Sequence, residues 1–250
     1  MGTVPFFQVT DSAMDNGSQE KRGLSPFPRR GIRSFVQRAG RITRAQERAL
    51  EELWPRFGID YTPAPLDLDA AFGRSAPRVL EIGIGDGETL LALARERPGA
   101  DFLGIEVHRP GIGHCLLGIE EAGLSNVRLI SHDAVEVLAH QLPDDSFEEA
   151  LLYFPDPWPK KRHHKRRIVQ PDFVELLAAR LRHGGTFRLA TDWAPYAAHM
   201  LEVLGHSTSL WNASATGDYV QRPASRPPTK FERRGERLGH EVFDLEFRRR

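Results

Sequence analysis

Five short apolar runs bounded by turn residues recur along the chain, at 78–84, 101–107, 127–131, 147–154 and 186–191, and each is predicted to be a buried strand. Between and after them, segments 88–97, 110–122, 134–140, 171–182 and 194–204 carry apolar residues at helical spacing and are predicted helices. Two late segments, 208–212 and 242–248, alternate apolar and polar positions as half-buried strands do. Repeated strand–helix units require a mostly parallel sheet covered by helices on both faces. The two late strands, with no long helix between them, add an antiparallel edge. Upstream, Ala45, Ala49, Leu50, Leu53, Trp54 and Phe57 fall on one face of a helix predicted over 43–57. Residues 1–28 are polar, spotted with Gly, Ser and Pro, and hold no sustained period, so they are expected to be a disordered tail. The remainder, 29–250, is expected to be one domain: a basic arm and helix over 29–57, then an α/β core over 78–250.

Composition narrows the class. The chain has 250 residues, 34 basic and 34 acidic side chains, and one cysteine. One cysteine excludes an internal disulfide and a thiolate zinc site, and fits a reducing compartment. No apolar run approaches the length of a membrane span, and the first residues lack a basic-then-apolar leader pattern. A soluble, cytoplasmic protein is expected, without a membrane partner, as monomer or homodimer. The zero net charge hides a division. Residues 1–59 hold 10 basic against 6 acidic residues, 60–156 hold 6 against 18, and 157–250 hold 18 against 10. No lysine occurs between Lys21 and Lys160. An acidic middle flanked by basic arms implies different partners for each. Seven arginines between Arg29 and Arg48 make the first arm either a candidate for nucleic-acid contact or a solubilising extension.

The first strand of the core runs into Glu81-Ile82-Gly83-Ile84-Gly85-Asp86-Gly87 and then a helix. Glycines there permit a tight turn and close approach of a ligand, and in open α/β sheets ligands sit beyond the carboxyl ends of strands. Gly83 and Gly85 are therefore cofactor-binding candidates. Glu106 ends the second strand, 21 residues after Gly85, where a carboxylate can accept ribose hydroxyls. The spacing G-x-G-x-G departs from the dinucleotide pattern, and the phosphate loop is absent. Glu81, Asp86, Glu88, Glu106 and Asp133 gather at strand ends with no lysine nearby. S-adenosylmethionine has no phosphate and carries a sulfonium and an ammonium, so carboxylates suit it on Coulomb grounds.

After the fourth strand comes Phe154-Pro155-Asp156-Pro157-Trp158-Pro159-Lys160. Three alternating prolines make a stiff, extended loop that holds Asp156 beside the expected cofactor, with Trp158 offering a face for a base. The run Lys160–Arg167 follows and suits phosphate contact. Adjacent His163 and His164 lack cysteine or carboxylate companions at ligand spacing, so no metal site is expected.

These motifs, with Gly104-Ile105-Glu106-Val107-His108, Ala190-Thr191-Asp192 and Thr229-Lys230-Phe231-Glu232, resemble those of the bacterial tRNA (guanine-N7)-methyltransferases, from about Arg33 to Phe247. The resemblance implies a Rossmann-like class I methyltransferase fold with a mostly parallel seven-stranded sheet. It implies S-adenosylmethionine contacts at Glu81, Glu106, Asp133 and Asp156, with Asp156 catalytic. It implies substrate contacts at Lys160, Asp192, Thr229, Lys230, Phe231 and Glu232. RNA contacts are implied at Arg162, His163, His164, Lys165, Arg166 and Arg167. The implied reaction is methylation of N7 of a guanine in the tRNA variable loop, at position 46. Guanine N7 has a free lone pair, so no proton has to leave it, and Asp156 is expected to bind the base edge or stabilise positive charge rather than act as a base. Competing readings are an S-adenosylmethionine-dependent enzyme for a small molecule or protein, a non-catalytic RNA-binding module, and an NAD enzyme.

Overall fold

Every residue of β2 (Arg78–Ile82) is buried, and its side chains alternate between two cores. Leu80 and Ile82 enter the larger hydrophobic cluster and Val79 the smaller. In β3 (Asp101–Ile105) the same division sends Leu103 and Ile105 one way and Phe102 the other. A strand covered on both faces reads as a continuous apolar run, which is why these were visible from sequence. Slipping one residue would exchange the two faces, so the register is strongly specified.

The computed structural model describes residues 1–2, 33–35, 40–229, 232–233, 239 and 241–250. Its contacts divide into units Met1–Arg30 and Gly31–Arg250, and the tail expected over 1–28 lies outside the described residues beyond its first two. The remaining strands are β1 (Gly58–Ile59), β4 (Val127–Ile130), β5 (Phe147–Tyr153), β6 (Leu181–Thr191), β7 (Leu210–Asn212) and β8 (Phe243–Arg249). They form one sheet in the order β1-β4-β3-β2-β5-β6-β8-β7. The described sheet thus has eight strands where seven were expected. The addition is β1, two residues paired in parallel with Leu129 and Ile130, too short to show any period. Only β8 runs antiparallel to its neighbours, and it is inserted between β6 and β7.

Helices α4 (Glu88–Glu96), α5 (Arg109–Glu121), α6 (Ala134–His140), α7 (Pro171–Arg180) and α8 (Ala194–Gly205) lie close to their predicted spans. The segment predicted as one helix over 43–57 is two, α1 (Arg44–Glu52) and α2 (Trp54–Phe57), because Pro55 lacks the N–H that would continue the ladder. A short α3 (Leu68–Phe72) was not foreseen. Thr43 and Gln46 cap α1 reciprocally, at 3.3 and 2.9 Å. Among the described residues, no helix is long and apolar enough to cross a membrane.

Two features of this frame position a site. Successive strands run outward from β2 through β3 and β4 on one side, while β5 takes the other side, so a crevice opens at the carboxyl ends of these strands. Arginines of the acidic middle are held away from that crevice: Arg74 bonds Asp101 at 2.8 Å, Arg97 bonds Glu149 at 2.7 Å, and Arg78 pairs with Asp69.

The α1–α5 contact is close enough to test. A Cβ on Gly113 would sit 2.8 Å from the Cβ and 2.9 Å from the carbonyl oxygen of Gln46. Gly113→Ala is expected to cost about 1–3 kcal/mol in urea unfolding, because backbone must move to admit one methyl.

Candidate active site

Beyond β2 the chain turns through Gly83 and Gly85, with φ of 74° and 57°, which glycine adopts without steric cost. A Cβ at either position would meet no atom within 4 Å, so the turn also faces open space. Glu106 holds it. Its Oε2 accepts from Gly85 N at 2.9 Å, and its Oε1 accepts from Val107 N at 2.7 Å and His108 N at 2.9 Å. A carboxylate has about four acceptor sites, so three go to backbone and about one remains for a ligand hydroxyl. The position of Glu106 at a strand end predicts acceptance of ribose hydroxyls; the backbone bonds leave room for about one.

Gly83, Gly85, Glu106, Asp133 and Asp156 line a single cleft of about 240 Å³. Asp133 caps α6 by accepting from Val135 N at 3.0 Å. Asp156 is exposed and has no hydrogen-bond partner among the described residues. Glu81 is not in the wall of the cleft: it is 3% exposed, and its Oε2 has no partner. Burial, and secondarily the charge on Glu106, push its carboxyl up to about 8. Among the described residues, no lysine or arginine lines the cleft. Open glycines and wall carboxylates without a described cation beside them fit a cationic ligand and oppose a phosphorylated one. S-adenosylmethionine meets these conditions.

The proline-bracketed loop has left-handed φ at Phe154 (50°) and Trp158 (46°). Each such residue costs of order 1–3 kcal/mol and persists only where its surroundings enforce it. Two side-chain hydrogen bonds and two ring contacts enforce it here. Arg167 Nε donates to the Pro157 carbonyl at 3.0 Å, and Trp158 Nε1 donates to the Ser34 carbonyl at 3.1 Å. Arg166 lies 5.1 Å over the indole, and His163 meets it edge-on at 5.7 Å. Trp158, expected to offer a free stacking face, is therefore already partnered by its own chain.

The basic run forms a 3-10 helix, Lys161–Arg166. Lys160, Lys161, Arg162 and Lys165 are exposed, and His163, His164 and Arg166 are half-buried. Arg167 corrects the expectation for an RNA contact. It is 2% exposed, with its guanidinium on Pro157, near His164 Nε2 at 3.3 Å and over the Tyr196 ring at 4.8 Å. Burial makes it a brace for the loop.

Glu232 is a second correction. Expected to touch substrate, it is buried, bonded twice to Arg226 and linked reciprocally to Thr229. Thr229 is buried as well, and Asp192 is half-buried beyond β6. Lys230 and Phe231 lie outside the described residues. Ser34, Phe35, His132, Tyr153, Phe154 and Ile168 line the cleft and were not singled out in sequence. Arginine density drew attention to the arm, but nothing marked Ser34-Phe35 as the part that reaches the cleft.

Residues 75–245 match the family model described as "Putative methyltransferase". A tRNA (guanine-N(7)-)-methyltransferase of Aeromonas hydrophila is 59% identical over 220 residues, covering 88% of this chain and 93% of that protein. One of the same name from Alkalilimnicola ehrlichii is 57% identical over 233 residues, covering 92% and 98%. The chain belongs to the tRNA (guanine-N(7)-)-methyltransferase family. Among solved structures, TrmN from Thermus thermophilus shares the fold at a TM-score of 0.52 and 20% identity, over 73% of this chain and 47% of that one.

Glu81 gives this family member a pH signature. Its carboxyl sits above the unfolded value of 4.5, so the native state holds a proton that the unfolded chain releases. The stability it contributes is complete below pH 4.5 and lost as pH rises through about 8. Without ligand, the melting temperature of wild type minus that of Glu81→Gln is expected to fall steadily across this interval. A difference independent of pH would show that Glu81 ionises as freely as an exposed carboxyl.

Proposed function

We propose that the chain transfers the methyl group of S-adenosylmethionine to N7 of a guanine in tRNA, at position 46 of the variable loop, in the cytoplasm. The observation that carries this reading is a juxtaposition: a cleft lined by carboxylates, with no lysine or arginine among its described residues, opens at Asp156, and exposed Lys160, Lys161, Arg162 and Lys165 follow directly. The first suits a sulfonium-bearing cofactor, and the second suits a phosphate backbone. The names of the curated relatives support the choice of tRNA over a small-molecule or protein substrate.

When bound, S-adenosylmethionine supplies an electrophilic methyl group. Gly83 and Gly85 would let it approach the backbone, and Glu106 and Asp133 would accept from its hydroxyl and amino groups. Asp156, stiffened between Pro155 and Pro157, accepts hydrogen bonds from the Watson–Crick edge of the guanine and so aims N7. Because N7 carries no proton, no side chain has to remove one. The methylated base is cationic, and the Asp156 carboxylate stabilises that developing charge. Alignment of N7 with the methyl group supplies most of the acceleration.

Purified protein given labelled S-adenosylmethionine and unmodified tRNA is expected to yield 7-methylguanosine on nucleoside analysis, with Asp156→Ala reduced by about 100-fold or more in kcat. The rate should show no dominant titration coupled to a solvent isotope effect; such an effect would make Asp156 a base. Replacing Lys161, Arg162 and Lys165 with glutamine should raise KM for tRNA and flatten its salt dependence, leaving cofactor affinity unchanged. Cofactor binding without transfer to tRNA would return the chain to the small-molecule or protein reading.

A further inference from the structure

We infer that Arg226 is a positioning residue for methyl transfer, fixing the segment around Thr229 and Glu232 to the sheet and to the root of the Asp156 loop; this rests on the function proposed above. Its side chain is 1% exposed and grips two carboxylates at once. Nε and Nη2 donate to Asp244 at 2.7 and 3.0 Å, and Nη1 and Nη2 donate to Glu232 at 2.8 and 2.9 Å. The two anchors differ in kind. Asp244 sits in β8, opposite Ala190 of β6, with its carbonyl taking Val220 N at 2.9 Å, so it belongs to the rigid sheet. Glu232 belongs to the connecting segment and sets its path through the reciprocal bonds with Thr229, at 3.3 and 3.1 Å.

The same guanidinium lies 5.7 Å over the ring of Tyr153 and 5.8 Å over that of Phe154. Phe154 is the left-handed residue immediately before Pro155 and Asp156. One side chain thus meets the end of β5, the strained entry to the reactive loop and the segment expected to contact substrate. Arg222, 3.6 Å from Glu232, adds the second positive charge that two carboxylates require. The next residue, Arg233, bonds the Pro228 carbonyl at 2.7 Å and Glu88, the first residue of α4, at 2.5 Å, which adds a tie to α4.

Stability alone does not call for this arrangement. A buried ion pair recovers its desolvation cost only with good geometry, and apolar residues of similar volume often serve as well. What a planar guanidinium alone provides is a fixed angle between two carboxylates on different elements. That constraint matters where a base must be aligned with a methyl group, since a misplacement of about 1 Å costs about 100-fold in rate.

The test uses the full chain as Arg226→Lys and, separately, Asp244→Asn, with unmodified tRNA and labelled S-adenosylmethionine. Lysine keeps the charge without the fork, and asparagine keeps the shape while weakening one anchor. Both are expected to bind S-adenosylmethionine within about twofold of wild type by calorimetry, and to lose about tenfold or more in kcat with a smaller change in KM for tRNA. Wild-type kcat and KM in both variants would overturn the inference, as would loss of activity only in parallel with loss of cofactor binding and of the folded state. Absence of 7-methylguanosine from wild type itself would instead overturn the proposed function.

Discussion

The hydrogen bonds of the Glu106 carboxylate hold the site open before any ligand arrives. In the turn through Gly83 and Gly85 the N–H groups of Gly83 and Ile84 go to the Ile105 carbonyl, and that of Gly85 needs a side-chain acceptor. Glu106 spans the gap from β3 to Gly85 and also takes the N–H groups that begin α5. Charge-assisted bonds of this kind are roughly twice as strong as neutral ones. Helix α5 then presses from the other side: Gly111 lies so close to the Gly85 carbonyl that only a residue without Cβ fits. Glu81 bears the cost of this rigidity. It stands buried beside a charged neighbour, held in its proton-bearing form until a counter-charge appears.

Electrostatics divide the molecule along the same line. The acidic middle of the chain is not simply an acidic surface. Several of its arginines are consumed in ties to Asp69, Asp101 and Glu149, away from the carboxylates that line the cleft. Cations return directly after the proline loop, where Lys160, Lys161, Arg162 and Lys165 face solvent. The boundary between the two regimes is Asp156, flanked by rigid residues and braced by Arg167 and Ser34. A cleft suited to a cationic small molecule and a surface suited to a phosphate backbone therefore adjoin at one loop, each with the opposite sign of charge.

What sequence revealed follows from burial. Strands β2 to β6 and helices α4 to α8 were legible because two-sided burial leaves long apolar runs and one-sided burial leaves a period. Elements below that scale, the two-residue β1 and the five-residue α3, leave no period to read. Site residues were legible as chemical types at strand ends, which is why five of the six predicted cofactor contacts line one cleft. Whether a charge faces inward is a different matter. Arg167 and Arg162 look alike in sequence, yet one braces a loop and the other meets solvent. Glu232 could not be separated from a ligand-facing acid until Arg226 was seen to grip it, and Arg226 itself had no sequence signal, being one arginine in a basic stretch.

The insertion of β8 between β6 and β7 bears on when the enzyme becomes an enzyme. Residues 210–212 cannot join the sheet until residues 243–249 have been laid down beside β6. Asp244, the sheet-side anchor for Arg226, arrives in that same strand. During synthesis the glycine turn, the cleft and the proline loop all precede it by many residues, so the residues that line the cleft are in place well before the Arg226–Asp244 pair can form. Long-range pairings of this sort form late and slowly. The fold thereby leaves the Arg226–Asp244 pair among the last contacts to close, after the strands that frame the cleft can already pair.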